Sequence, residues 1–211
     1  MSTILCYGDS NTHGTRPLTR IGEFHRYPPA ERWPEVMAAV LGPAHKMISE
    51  GLPGRTTVHD DMVEGGARNG LMVLPAILHS HRPIDLMLLM LGTNDLKPRF
   101  SVSAWEIARS VHRLITAARI EGVAAAEILI APAPVRERGV LSDVFAGAEA
   151  RQRGLAGHIE AMAQDLGCGF VDAGEHVQVS DIDGVHWDAE AHQSFGQAMA
   201  RVVAGQLARQ A

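Results

Sequence analysis

Three short segments of this chain carry residue types suited to nucleophilic acyl transfer: Gly8-Asp9-Ser10-Asn11, Gly92-Thr93-Asn94-Asp95 and Asp183-Gly184-Val185-His186. A serine hydroxyl attacks a carbonyl only when a base takes its proton and a third group orients that base. Asp183 and His186, three residues apart around Gly184, could supply both from one loop, with Ser10 as the nucleophile. Acyl transfer also needs donors aimed at the developing oxyanion, and losing one costs roughly 100- to 1000-fold in rate. The Ser10 N–H, the Asn94 amide and the N–H of Gly54, which no Cβ screens, are the candidates. Each residue also has a plainer reading: Ser10 as a helix N-cap, Asp183-Gly184 and Pro53-Gly54 as turns, Asn94 as an Asx turn closing a strand. Taken singly, the plain readings prevail. Only the combination favours the chemistry.

That combination requires elements that bring distant segments together. Apolar runs of strand length at 3–7, 45–50, 84–91, 127–131 and 169–171 alternate with helix-period segments at 31–41, 69–81, 102–121, 148–166 and 189–207. The run around Ile84 to Leu91 is continuously apolar, as expected of a strand covered on both faces. Such alternation predicts an α/β domain over 1–211: a three-layer α/β/α sandwich with a parallel, doubly wound, flavodoxin-like sheet of about five strands. Right-handed crossovers would place every strand's C-terminal end along one edge, where open α/β sheets bind ligands. The three chemical segments each follow a predicted strand, so they would meet there.

Composition narrows the class further. With 211 residues, 46% hydrophobic and 20% charged, the chain can bury an ordinary core, which excludes a disordered chain or a disulfide scaffold. A net charge of −5 offers no general attraction to nucleic acid or an anionic membrane, nor a reason to expect a strongly negative substrate. Cys6 and Cys168 each sit in an apolar run and read as buried thiols of a reducing compartment. The N-terminal stretch has no basic region followed by a long apolar one, and Leu86 to Leu91 is too short to span a bilayer, so a cytoplasmic protein without membrane insertion is expected.

Ser10, Gly54, Asn94 and Asp183-x-x-His186, in that order, resemble the sequence blocks of the GDSL/SGNH hydrolases over nearly the whole chain. The resemblance implies an SGNH-type fold in which Ser10 is the nucleophile, His186 the base and Asp183 its orienter. It also implies an oxyanion hole of Ser10, Gly54 and Asn94. Glu50-Gly51-Leu52, Arg55-Thr56-Thr57, Asp60-Asp61 and Asn69-Gly70 are similar to a bacterial branch of small arylesterases that includes an octameric acyltransferase/perhydrolase. From this resemblance come the expectations of a short-chain ester substrate, no cofactor, and a homo-oligomer between dimer and octamer. The alternatives are acyl transfer or perhydrolysis, a carbohydrate O-acetylesterase, and a catalytically silent binding domain. Where the acyltransferase has leucine and tryptophans after the serine, this chain has Asn11-Thr12-His13-Gly14-Thr15, which favours water as acceptor. At the second oxyanion position it has Gly54 where a methyl-bearing residue stands.

Asn11, His13, Pro53 and Trp187 are candidates for the substrate pocket, with Arg68 and His25 as further boundary residues. Trp33 and Trp105 read as core or interface packing, and Asp9 and Asp95 as braces for their loops. His79 and His81 lack the partners of a zinc site, so no metal is expected. Gly65-Gly66-Ala67-Arg68-Asn69-Gly70 lacks the spacing of a dinucleotide loop. The irregular segment 132–148 reads either as a cover for the site or as a subunit contact.

Overall fold

The computed structural model describes residues 1–209. Its centre is a five-stranded sheet in the order β2-β1-β3-β4-β5, formed by β1 (Ser2–Gly8), β2 (His45–Gly51), β3 (Leu86–Met90), β4 (Glu127–Ala131) and β5 (Gly169–Asp172). Every neighbouring pair is parallel. Chain order reverses beside β1, so the crevice between the ends of β1 and β3 is the topological switch point at which such sheets bind ligands.

Successive strand residues point to opposite faces, and this alternation builds two cores. Leu5, Tyr7, Met87, Leu89 and Leu129 face one way and pack against α3 (Gly70–His81), α4 (Ala104–Glu121) and α6 (Leu155–Leu166). Ile4, Cys6, Leu86, Leu88, Met90 and Ile128 face the other way, against Trp33 and Met37 of α2 (Trp33–Leu41) and Phe195, Met199 and Val203 of α7 (Ala189–Ala208). The three-layer α/β/α expectation matches this arrangement.

Local signals account for several element boundaries. Asn69 caps α3 by accepting from the N–H groups of Leu71 and Met72. Ser103 and Glu106 form a reciprocal capping box, so α4 starts at Ala104, later than its apolar pattern suggests. Several expectations need correction. The predicted helix over 148–166 is two helices, α5 (Ala148–Arg151) and α6, because Gly154 adopts a left-handed φ of 80° between them. The predicted start at 31 belongs to a separate single turn, Pro29–Glu31. A short helix the periodicity did not reveal, α1 (Ser10–His13), follows β1 at once. Trp105 is exposed on α4, which overturns the core half of its core-or-interface reading, and Cys168 is half-buried beside Arg119 and Glu127 rather than enclosed.

The layer under α7 holds an unusual histidine. His192 is fully buried, its Nδ1 accepts the Trp33 N–H at 3.4 Å, and its Nε2 has no hydrogen-bond partner. Burial first, then the charges of His186 and Arg32, lowers its pKa to about 3. The folded protein therefore binds fewer protons at this site than the unfolded chain, and the cost grows as pH falls below about 6.5 towards 3. Asp9, pushed up to about 6 by burial, works in the opposite sense, so a difference between two proteins isolates His192. Between pH 7.5 and pH 5, wild type should lose about 2 kcal/mol of unfolding free energy relative to His192→Gln. Urea denaturation of both proteins at the two pH values measures this; parallel behaviour would contradict a neutral buried imidazole.

Candidate active site

The site is assembled from the loops that leave β1, β2 and β3 and from the loop before α7. At the end of β1 the chain turns back so tightly that a Cβ on Gly8 would lie 2.1 Å from the Thr12 Oγ1. Only glycine admits this return. Asp9, not Ser10, is the N-cap of α1 and accepts the Asn11 N–H at 3.0 Å, which puts Ser10 at the first helical position, nearly buried.

Asn11 joins this turn to the loop that carries His186. Its Nδ2 donates to the Val185 carbonyl at 3.1 Å and its Oδ1 accepts the Trp187 N–H at 3.1 Å, so it grips the chain on both sides of the histidine. Asn11 is thus a strut and not a pocket residue, contrary to the sequence expectation.

Asp183 is wholly buried and fully engaged. Its Oδ1 accepts the N–H groups of Val185 at 3.0 Å and His186 at 2.9 Å. Its Oδ2 lies 2.6 Å from the His186 Nδ1 and accepts the Leu18 N–H at 2.7 Å. Burial alone would raise this carboxyl, but the contacts with His186 and the Leu18 N–H outweigh it and hold it below the usual value. An ionised carboxylate accepts and cannot donate, so the Nδ1 of His186 carries the proton and its Nε2 is left as a base. Gly184 makes this turn possible: its φ is 72°, and a Cβ there would lie 2.0 Å from the Arg136 carbonyl oxygen.

Gly54 and Asn94 come from adjacent loops that are cross-tied. The Asn94 Nδ2 donates to the Arg55 carbonyl at 3.1 Å, and both oxygens of Asp95 take the Thr57 N–H at 3.1 and 3.0 Å. Arg55, whose position the sequence blocks include but whose work they do not disclose, donates to the carbonyls of Gly8 and Glu50 and lies 4.1 Å from the centre of the Tyr7 ring. It clips the ends of β1 and β2 together beneath the site.

A cavity of about 400 Å³ opens here, lined at its polar end by Ser10, Pro53, Gly54, Asn94 and His186. Its apolar walls are Leu18, Ile21 and Phe24 from one side and Leu141, Val144 and Phe145 from segment 132–148 on the other. That segment therefore contributes to the cover of the cavity, the first of the two readings given to it. Ser10 and His186 share the cavity without a hydrogen bond between them; such bonds often tighten only when substrate is bound.

Two more pocket candidates lie elsewhere. Trp187 is fully buried with its ring 5.0 Å from that of Phe195, because adjacent residues of the loop point to opposite sides and His186 takes the cavity side. His13 turns away to hydrogen bond through Nδ1 with the Thr15 Oγ1 at 3.0 Å, and Thr15 reaches the cavity in its place. Burial and the charges of Arg26 and Arg32 lower the pKa of His13 to about 4. Sequence reasoning missed the Leu18 N–H, a backbone group with no compositional signal, and Lys97, which is buried beside the cavity and paired with Asp61 at 3.2 Å and Glu64 at 2.6 Å. Among the described residues there is no group of three or more His, Cys, Asp or Glu that could hold a metal ion, and no helix is long and apolar enough to cross a membrane.

The chain is similar in structure to a carbohydrate acetylesterase from Sinorhizobium meliloti, with 34% identity, a TM-score of 0.93, and coverage of 98% of this chain and 100% of the other. The aryl esterase of M. smegmatis is similar at 32% identity and a TM-score of 0.92, covering 97% and 99% of the two chains. A member of the lipolytic G-D-S-L family from Veillonella parvula, 15% identical with a TM-score of 0.70, shares the fold, covering 96% and 98%. No curated protein matches the chain. Residues 6–194 match the GDSL-like Lipase/Acylhydrolase family, and the chain belongs to it.

Proposed function

We propose that this protein is a serine hydrolase of small carboxylic esters. The observation that carries the reading is a single cavity bordered by Ser10, His186, Gly54 and Asn94, with His186 seated on the buried carboxylate of Asp183. In the proposed sequence, the Nε2 of His186 takes the Ser10 proton as Oγ attacks the ester carbonyl. The oxyanion accepts from the N–H groups of Ser10 and Gly54 and from the Asn94 amide, whose second N–H is not needed for the Arg55 carbonyl. His186 then protonates the departing alkoxide. Water attacks the acyl-enzyme with His186 again as base, releasing the acid and returning the proton to Ser10. The cavity volume of about 400 Å³ suits a small ester such as an aryl acetate or an acetylated sugar.

With para-nitrophenyl acetate, wild type should give a burst of nitrophenol followed by steady turnover. Ser10→Ala should abolish both, and Asn94→Ala should lower kcat roughly 100- to 1000-fold. Full turnover by Ser10→Ala would overturn the reading.

A second reading, acyl transfer to an alcohol, is favoured by the apolar walls of the cavity. Of the polar residues that spoke for water from sequence, Asn11 and His13 do not line it, while Thr15 does. Leu141, Val144 and Phe145 screen the acyl-enzyme instead. Added ethanol should therefore divert a measurable share of the acetyl group into ethyl acetate, read by gas chromatography. Acetate as the sole product would leave hydrolysis alone.

A further inference from the structure

The cavity beside the proposed oxyanion hole contains a cation that the protein itself does not neutralise. Arg68 is half-buried and lines this cavity. Its backbone is fixed: its carbonyl accepts the Thr56 N–H at 3.0 Å, and the neighbouring Asn69 forms a parallel bridge with Thr56. This registers Arg68 against Gly54, two residues before Thr56. Its side chain lies across the open face of that glycine, where a Cβ would stand 3.3 Å from the Arg68 Cδ and 3.0 Å from its Nε. The methyl group missing at position 54 thus leaves room for a guanidinium next to the proposed reaction centre.

The other charged side chains on the cavity wall are paired or hydrogen-bonded within the protein. Lys97 pairs with Asp61 and Glu64, and Arg99 completes that quartet by donating to Asp61 at 2.8 Å and Glu64 at 3.0 Å, two cations against two anions. Glu23 turns its Oε2 onto the N–H and hydroxyl of Thr19 and the N–H of Arg20. Arg68, among the described residues, makes no side-chain hydrogen bond or ion pair. Its guanidinium presents a fixed fork of N–H donors, the geometry that matches a carboxylate.

We propose that Arg68 selects esters that carry a carboxylate, by pairing with that group while the ester carbonyl lies at Ser10. The net charge of the chain gives no hint of this preference because it is a local one. The assignment rests on the ester-hydrolase reading, and a carboxylate on either the acyl group or the alcohol could meet the guanidinium, so the test has two arms. In one, para-acetoxybenzoate is compared with its methyl ester; in the other, para-nitrophenyl hydrogen succinate is compared with para-nitrophenyl methyl succinate. The readout in each arm is the ratio of kcat/KM for the anionic ester to that for its neutral partner.

Arg68→Gln should lower this ratio about 10-fold in at least one arm, the size expected for losing a charge-assisted hydrogen bond, and the responding arm locates the carboxylate. Arg68→Lys, which keeps the charge without the fork, should retain part of the preference, and raised salt should compress the wild-type ratio towards that of Arg68→Gln. The backbone of Arg68, not its side chain, holds the Thr56 bridge, so both variants should fold, which circular dichroism checks. Unchanged ratios in both arms for both variants would overturn the assignment of Arg68 and leave ester hydrolysis standing. A wild-type protein inactive on all four esters would overturn both.

Discussion

The site depends on one buried carboxylate. Asp183 receives two backbone N–H groups of its own turn, the His186 imidazole, and the Leu18 N–H from a segment 165 residues away in sequence. A carboxylate placed in a low-dielectric interior without such donors would take up a proton or leave. Here the donors keep it ionised, and its charge in turn fixes the imidazole tautomer. The same oxygen that meets His186 also anchors the segment that continues through Ile21 and Phe24 along the cavity wall. The orientation of the His186 ring and one wall of the cavity therefore hang on a single atom.

The rest of the edge is built to hold that carboxylate opposite Ser10. Asn11 ties the turn after β1 to the chain on either side of His186, and Arg55 ties the ends of β1 and β2. From the other side, segment 132–148 is locked against the loop that carries Asp183 and His186: the Arg136 N–H donates to the Gly184 carbonyl at 2.8 Å. That contact explains how the segment brings Leu141 and Phe145 over the cavity. Loops on the C-terminal edge of a parallel sheet let groups more than 170 residues apart in sequence meet with fixed geometry, the Asn11 amide and the Val185 carbonyl among them.

Much of this was legible in the sequence because it rests on local patterns. Continuous apolar strands and periodic helices follow from burial on both faces of a parallel sheet, and Asp183-Gly184-Val185-His186 is a self-contained turn. What failed was mostly what depended on where a group's partner lies in space. Asn11 reads as a polar pocket residue because nothing near it announces that Val185 and Trp187 will take its amide. Trp187 reads as a substrate contact because it adjoins His186, yet alternation along the loop sends it to the core with Phe195. The break at Gly154 was hidden because apolar spacing continues through it. Leu18 contributes a backbone N–H, and side-chain chemistry gives no sign of that.

Whether Ser10 is activated by a histidine held on Asp183 can be read by following phosphonylation with a fluorophosphonate by intact-protein mass spectrometry, with peptide mapping of the adduct, in wild type and Asp183→Asn. One adduct is expected, on Ser10, forming roughly a thousandfold or more slower in Asp183→Asn, where the amide can no longer hold the imidazole in its basic tautomer. An adduct on another residue, or equal labelling rates in the two proteins, would contradict such activation.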